Sequence, residues 1–210
     1  MRRRFGREIV RSFLIAIAGA ALASGCGEPE IQPPVIHDLS EPWQPIPFQL
    51  DQAVYAKIEA TCRESGMAPG APLAVIDARG DSTAVAVFAG QDVRAECLVV
   101  REAGRLSVPS AGETRGNGTI EQVGPRTISN VSVGTGSQLT PQGASRDVVY
   151  VTGQAGKDVG LIELVLGDGD GRRVRASLWN LGWFAAWWPG VETSIRYDVY
   201  DTSGVLVTPP

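Results

Sequence analysis

Gly182-Trp183-Phe184-Ala185-Ala186-Trp187-Trp188-Pro189-Gly190 is the stretch on which the fold turns. A glycine opens it and a Pro-Gly pair closes it. In extended chain, successive side chains point to opposite faces. Trp183, Ala185 and Trp187 therefore share one face, and Phe184, Ala186 and Trp188 share the other. Neither face is polar. A strand with one wet face alternates apolar with polar, so this segment reads as a central strand buried on both sides, or as a core strand with its second face under another part of the molecule. With Trp179 it holds four of the five tryptophans. Tryptophan is large and mostly buried. The competing reading leaves one face, Trp183 with Trp187, open to stack on a ligand such as a sugar ring.

Outward from this strand, the last third is punctuated like a β-sheet protein. Asp147–Thr152, Gly160–Leu166, Arg172–Leu178, Ser194–Tyr200 and Val205–Thr208 are apolar or alternating runs. Turn residues part them at Gly153, at Gly167-Asp168-Gly169-Asp170-Gly171, at Asn180, at Pro189-Gly190 and at Ser203-Gly204. Short strands at such spacing suggest a sandwich. With a further strand over Arg126–Val133 there are about seven, the number an immunoglobulin-like sandwich needs. The likeness is architectural, because no sandwich cysteine pair is present.

The N-terminal half reads differently. Asp51 can cap a helix, along which Val54, Ile58 and Cys62 fall on one face. Gly66 sits where a C-terminal cap belongs. Leu73–Ala78 and Thr83–Ala89 form a hairpin around Arg79-Gly80-Asp81-Ser82, and Val93–Val100 is a third strand containing Cys97. Residues 101–126 are rich in Gly, Ser, Thr and charge and read as a long loop or linker. Residues 27–50 contain Pro29, Pro33, Pro34, Pro42, Pro45 and Pro47 and read as an extended tether. Its later part, Trp43 to Leu50, is apolar enough to lie against the folded body.

The chain opens with Arg2, Arg3, Arg4, Arg7 and Arg11, an apolar run from Phe13 to Ala23, and small residues leading to Cys26. A basic start, a short apolar core and a small-residue cleavage site define a secretory signal. Eleven apolar residues fall short of the roughly 20 that a membrane span needs. Leu22-Ala23-Ser24-Gly25-Cys26 resembles the lipobox of bacterial lipoproteins, with Leu22 four places before the cysteine and Ala23 three. The resemblance implies a lipid on Cys26, cleavage just before it, and a protein held at the cell membrane or outer membrane, facing away from the cytoplasm. Arg2-Arg3-Arg4-Phe5 resembles the twin-arginine export motif as well, although a generic basic start accounts for the same residues. If Cys26 carries lipid, Cys62 and Cys97 remain as a pair. In an oxidising compartment they read as a disulfide, the alternative being two reduced buried thiols.

Charge and motifs narrow the function. Residues 1–25 carry five Arg and one Glu, which leaves 14 basic and 22 acidic residues from Cys26 on, a net of −8. Such a surface repels phosphate backbones, so no nucleic acid partner is expected, and it has no polybasic grip on anionic lipid. Arg79-Gly80-Asp81 resembles the integrin-binding tripeptide of animal adhesive proteins, but Gly and Asp are also what a hairpin turn wants. Asp168-Gly169-Asp170-Gly171 looks like a calcium-loop opening, yet Arg172, Arg173 and Arg175 stand where oxygen ligands belong. Gly134-Thr135-Gly136 lacks the following helix of a dinucleotide loop. The sole histidine, His37, lies in the tether, which disfavours Ser–His or Cys–His catalysis and most zinc hydrolases. Asn117-Gly118-Thr119 and Asn130-Val131-Ser132 are chance sequons in a bacterial lipoprotein. Catalytic residues, metal ligands and cofactors are assigned to none.

The fold expected is mainly β with a small α+β part. Its segments are a signal peptide over 1–25, a tether over 26–50, a helix and three-stranded meander over 51–108, a linker over 109–125 and a sandwich over 126–210. The function expected is a non-catalytic binding or scaffolding module at the cell envelope, with an envelope glycan or protein as partner. The alternative is an envelope hydrolase working through paired carboxylates, which requires two close acidic groups in a cleft.

Overall fold

The segment Trp183–Pro189 is a strand buried along its whole length, and the other elements are layered around it. The computed structural model describes residues 35–36 (backbone only), 39–67, 69–91, 93–113, 114–115 (backbone only), 123–139, 143–167, 171–179 and 182–207. Residues 1–25, Cys26, His37, Asn117 and Asp168-Gly169-Asp170 lie outside them.

The described chain is mainly β, with one helix. A short parallel pair joins β1 (Val35–Ile36) to β2 (Gln49–Leu50). Helix α1 follows over Gln52–Glu64. Asp51 caps it, its carboxylate accepting from the Ala53 N–H at 2.8 Å. Gly66 leaves it at φ +85°, the left-handed turn that favours glycine. Ile58 and Cys62 are its buried face.

The first sheet is an antiparallel meander of β3 (Leu73–Ala78), β4 (Thr83–Ala89), β5 (Val93–Glu102) and β6 (Arg105–Arg115). It has four strands where the sequence suggested three, and residues 105–115 of the segment read as a loop or linker are strand β6. Leu106 and Val108 are that strand's half-buried apolar residues, packed against the α1 core, while the rest is Ser, Gly, Pro and charge. A strand so weakly apolar carries little of the alternation that identifies strands. The disulfide Cys62–Cys97 joins α1 to β5, with the Cα atoms 6.0 Å apart.

The second sheet has the order β11 (Ser177–Trp179), β12 (Trp183–Pro189), β8 (Ser145–Ala155), β7 (Ile128–Leu139). The third has the order β10 (Arg172–Arg175), β9 (Val159–Leu166), β13 (Ile195–Asp201), β14 (Leu206–Val207). The chain lays hairpins alternately into the two sheets. The single strand expected over Arg172–Leu178 breaks at Ala176: Arg175 pairs with Glu163 in the third sheet and Ser177 with Ala185 in the second. That crossing closes one side of the sandwich and leaves β7 and β14 as the edges of the other.

Residues 33–210 form one compact unit. Its layers run helix, sheet, sheet, sheet. Phe88, Ala86 and Ile76 face α1. Val75 and Val87 meet Trp183 and Ala185, while Val85 and Leu98 meet Trp187 and Tyr150, all between the first and second sheets. Phe184, Ala186 and Trp188 meet Ile162, Leu164 and Val174 of the third. The segment read as tether is bound from Leu39 onward. Leu39 is buried, and the N–H groups of Gln44 and Phe48 donate to the Arg79 and Ala78 carbonyls at 2.9 and 2.8 Å, so this strap holds the end of β3 and the turn after it.

Candidate functional site

The tryptophan strand does not supply an open binding face. Trp183 and Trp187 are 6 % and 0 % exposed. Their face is roofed by the first sheet, so the expectation of a stacking surface on these two residues is corrected: each apolar face of β12 has a sheet against it. Trp43 reaches the same core from the strap, its ring edge-on to Trp187 at 6.4 Å.

The Arg79-Gly80-Asp81 turn is equally closed. Arg79 is fully buried. Its guanidinium donates to both oxygens of Asp77, at 2.6 and 2.8 Å, to the Pro45 carbonyl at 2.5 Å, and to the Arg175 carbonyl. The Ser177 hydroxyl donates to Asp77 at 2.8 Å. Burial pushes the Asp77 carboxyl up, and the Arg79 guanidinium and the Ser177 donors pull it back. One side chain thus ties the strap, the first sheet and the β10–β11 crossing. Gly80 has φ +90°, and a Cβ there would strike the Glu41 carbonyl. The tripeptide is a structural clamp with no arginine left to present.

A second polar cluster lies between the first two sheets, under β7. Arg94 and Thr152 both donate to Glu96, and Arg94 also donates to Thr152 and to the Asn130 carbonyl. The guanidinium stands 5.3 Å from the Trp183 ring centre, a cation–π contact. Asn130 donates to Gln154 at 2.5 Å. Gly134 lies against the Tyr150 ring and Gly136 against Leu98. The two glycines of Gly134-Thr135-Gly136 are there for close packing inside a strand, where a Cβ would collide with those neighbours. Burial and the nearby Glu96 push the Tyr150 phenol up.

What this cluster leaves outside is β7 itself. Ser132, Gly134, Gly136 and Gln138 alternate with Val131, Val133, Thr135, Ser137 and Leu139, and the second set is exposed. Val133 is 46 % exposed and Leu139 52 %. Among the described residues no strand pairs with the outer edge of β7. A pocket of about 540 Å³ adjoins it, lined by Pro109 and Ser110 of β6, Thr135 to Ser137 of β7, Asp147 to Val149 of β8, and Gly190 and Val191. Its lining has one carboxylate, Asp147. The sequence reading missed this strand as a surface feature. One signal was legible: residues 128–139 contain no Asp, Glu, Lys or Arg.

Elsewhere, Glu163 and Asp198 are cross-strand neighbours on the outer face of the third sheet. Both accept from Arg173, at 2.9 and 3.0 Å. They form an exposed ionic ladder on a strand surface. Among the described residues no group of His, Cys, Asp and Glu is placed to hold a metal ion, and no helix is long and apolar enough to cross a membrane. No protein-family model, curated protein or solved structure matches the chain.

Proposed function

We propose that this chain is an exported lipoprotein, anchored through Cys26, whose body is a non-catalytic binding or scaffolding module at the cell envelope. The observation that carries the reading is the Cys62–Cys97 disulfide. Such a bond persists in oxidising compartments outside the cytoplasm, which supports export. It also occupies both cysteines other than Cys26, leaving that thiol for the lipid. We take the sandwich of the second and third sheets to be immunoglobulin-like in architecture. Burial of Trp183 and Trp187 removes the support for a glycan partner and favours a protein. The hydrolase reading has no observation in its favour: the pocket beside β7 has a single carboxylate, and the Glu163–Asp198 pair is held by Arg173 on a strand surface.

The test is the intact mass of the mature N-terminus from cells expressing the full chain, with Cys26→Ser in parallel. The expected product starts at a diacylglycerol-bearing Cys26, and Cys26→Ser loses the lipid and leaves the membrane fraction. An unlipidated product cleaved at another residue would overturn the anchor.

A further inference from the structure

We infer that β7 is the edge through which two copies of this chain join, each β7 pairing antiparallel with its counterpart across a two-fold axis. Sheet edges are templates for further pairing, and proteins guard them with charge, proline, brevity or a covering segment. Every other edge strand here is guarded. β3 carries Asp77, and the 39–50 strap bonds its last residue and the turn after it. β6 carries Arg105, Pro109 and Glu113. β10 has three arginines in four residues, and β11 and β14 have three and two residues. β7 has 12 residues, with no charge and no proline. Among the strands of eight or more residues it alone lacks both signs of charge.

The same composition selects a second copy as the occupant. Two chains of net −4, or −8 counted from Cys26 on, repel wherever their charged surfaces meet. Antiparallel self-pairing sets each β7 residue opposite another β7 residue, so no like charges confront each other there. β8 alongside carries Arg146 and Asp147, one of each sign, which offers no net field to a charged partner. The bulge between Ser129 and Ser132 limits the regular stretch to 132–139. A two-fold axis at Thr135 pairs residues 132–138 with 138–132 of the second copy and sets Val133 opposite Ser137. A closed two-fold contact of this kind makes dimers and ends there.

This contact is independent of the lipid, and its test does not read the N-terminus. Sedimentation of the full chain in detergent is expected to show a dimer that Val133→Lys converts to a monomer. Val133 is exposed, so the variant keeps the parent's far-ultraviolet dichroism. Thr135→Cys is expected to give a disulfide-linked dimer under mild oxidation, while Val205→Cys, exposed but on the β13–β14 turn, gives the parent background. A parent chain that stays monomeric at every concentration overturns the inference. So does a dimer untouched by Val133→Lys, equal crosslinking from the two cysteine variants, or photocrosslinking at position 133 in cells that captures a different protein.

Discussion

Arg79 shows how far a residue's meaning depends on what surrounds it. Its side chain is an ordinary surface cation in composition, yet it lies buried between three segments and is neutralised by Asp77. Removing one member of a buried pair leaves an uncompensated charge, at a cost of about 3–5 kcal/mol. Arg79→Ala is expected to lose that much in urea unfolding, while Asp77→Leu with Arg79→Met loses less than either single change. A double variant as unstable as the sum of the singles would show that the pair contributes more than mutual neutralisation. Tyr197 carries a second residue-scale expectation. Burial pushes its phenol from 10.0 up to about 12. The folded value lies above the unfolded one, so the unfolded chain gives up this proton first as pH rises. The contribution of Tyr197 is therefore whole below pH 10.0 and is lost as pH climbs towards about 12. Tyr197→Phe should flatten the fall in stability across that window; an unchanged slope would remove Tyr197 as a source.

At the scale of elements, α1, β3, β4 and β12 were legible because each signals its partner within its own residues. Asp51 and Gly66 bound the helix, and the run Trp183–Trp188 is apolar on both faces. β6 was illegible for the opposite reason. It is an edge strand held by hydrogen bonds to β5, and backbone pairing leaves no mark on side-chain type. The Arg172–Leu178 run was read as one strand because nothing in it marks Ala176 as the residue where the chain changes sheets. The disulfide is the element-scale device with the clearest energetic reading. Its cysteines are 35 residues apart, and closing a loop of that length constrains the unfolded chain by about 4 kcal/mol in the chain-entropy model. Cys62→Ala with Cys97→Ala is expected to lower stability by a large part of that amount. Amide exchange should quicken in α1 more than in β12, since the helix has a sheet on one side only. Equal loss of protection in both would place the disulfide's effect on the whole fold.

The whole molecule behaves as one body because the second sheet packs against both the first sheet and the third. Its β8 and β12 residues pack on the first sheet through Tyr150, Trp183 and Trp187, and on the third through Val149, Phe184 and Trp188. Losing either neighbour exposes a face of tryptophan and valine to water. A single cooperative unfolding transition is therefore expected, with tryptophan fluorescence and far-ultraviolet dichroism coincident. Two separated transitions would mean that the meander and the sandwich are independent. The sequence by itself determined the β-rich class and the helix with its caps, and it favoured a buried β12 and a Cys62–Cys97 pair over an open tryptophan face and two reduced thiols. Each of these is written in local pattern or in the arithmetic of few cysteines. Tertiary structure alone decided that the meander roofs the sandwich, that the strap from Leu39 holds the end of β3, and that Arg79 is a clamp. It also left β7, among the described residues, as a long edge with no strand paired to it. Those outcomes rest on contacts between residues far apart in the chain, such as Asp77 with Ser177 and Trp43 with Trp187, and distance along the chain carries no local signal of proximity in space.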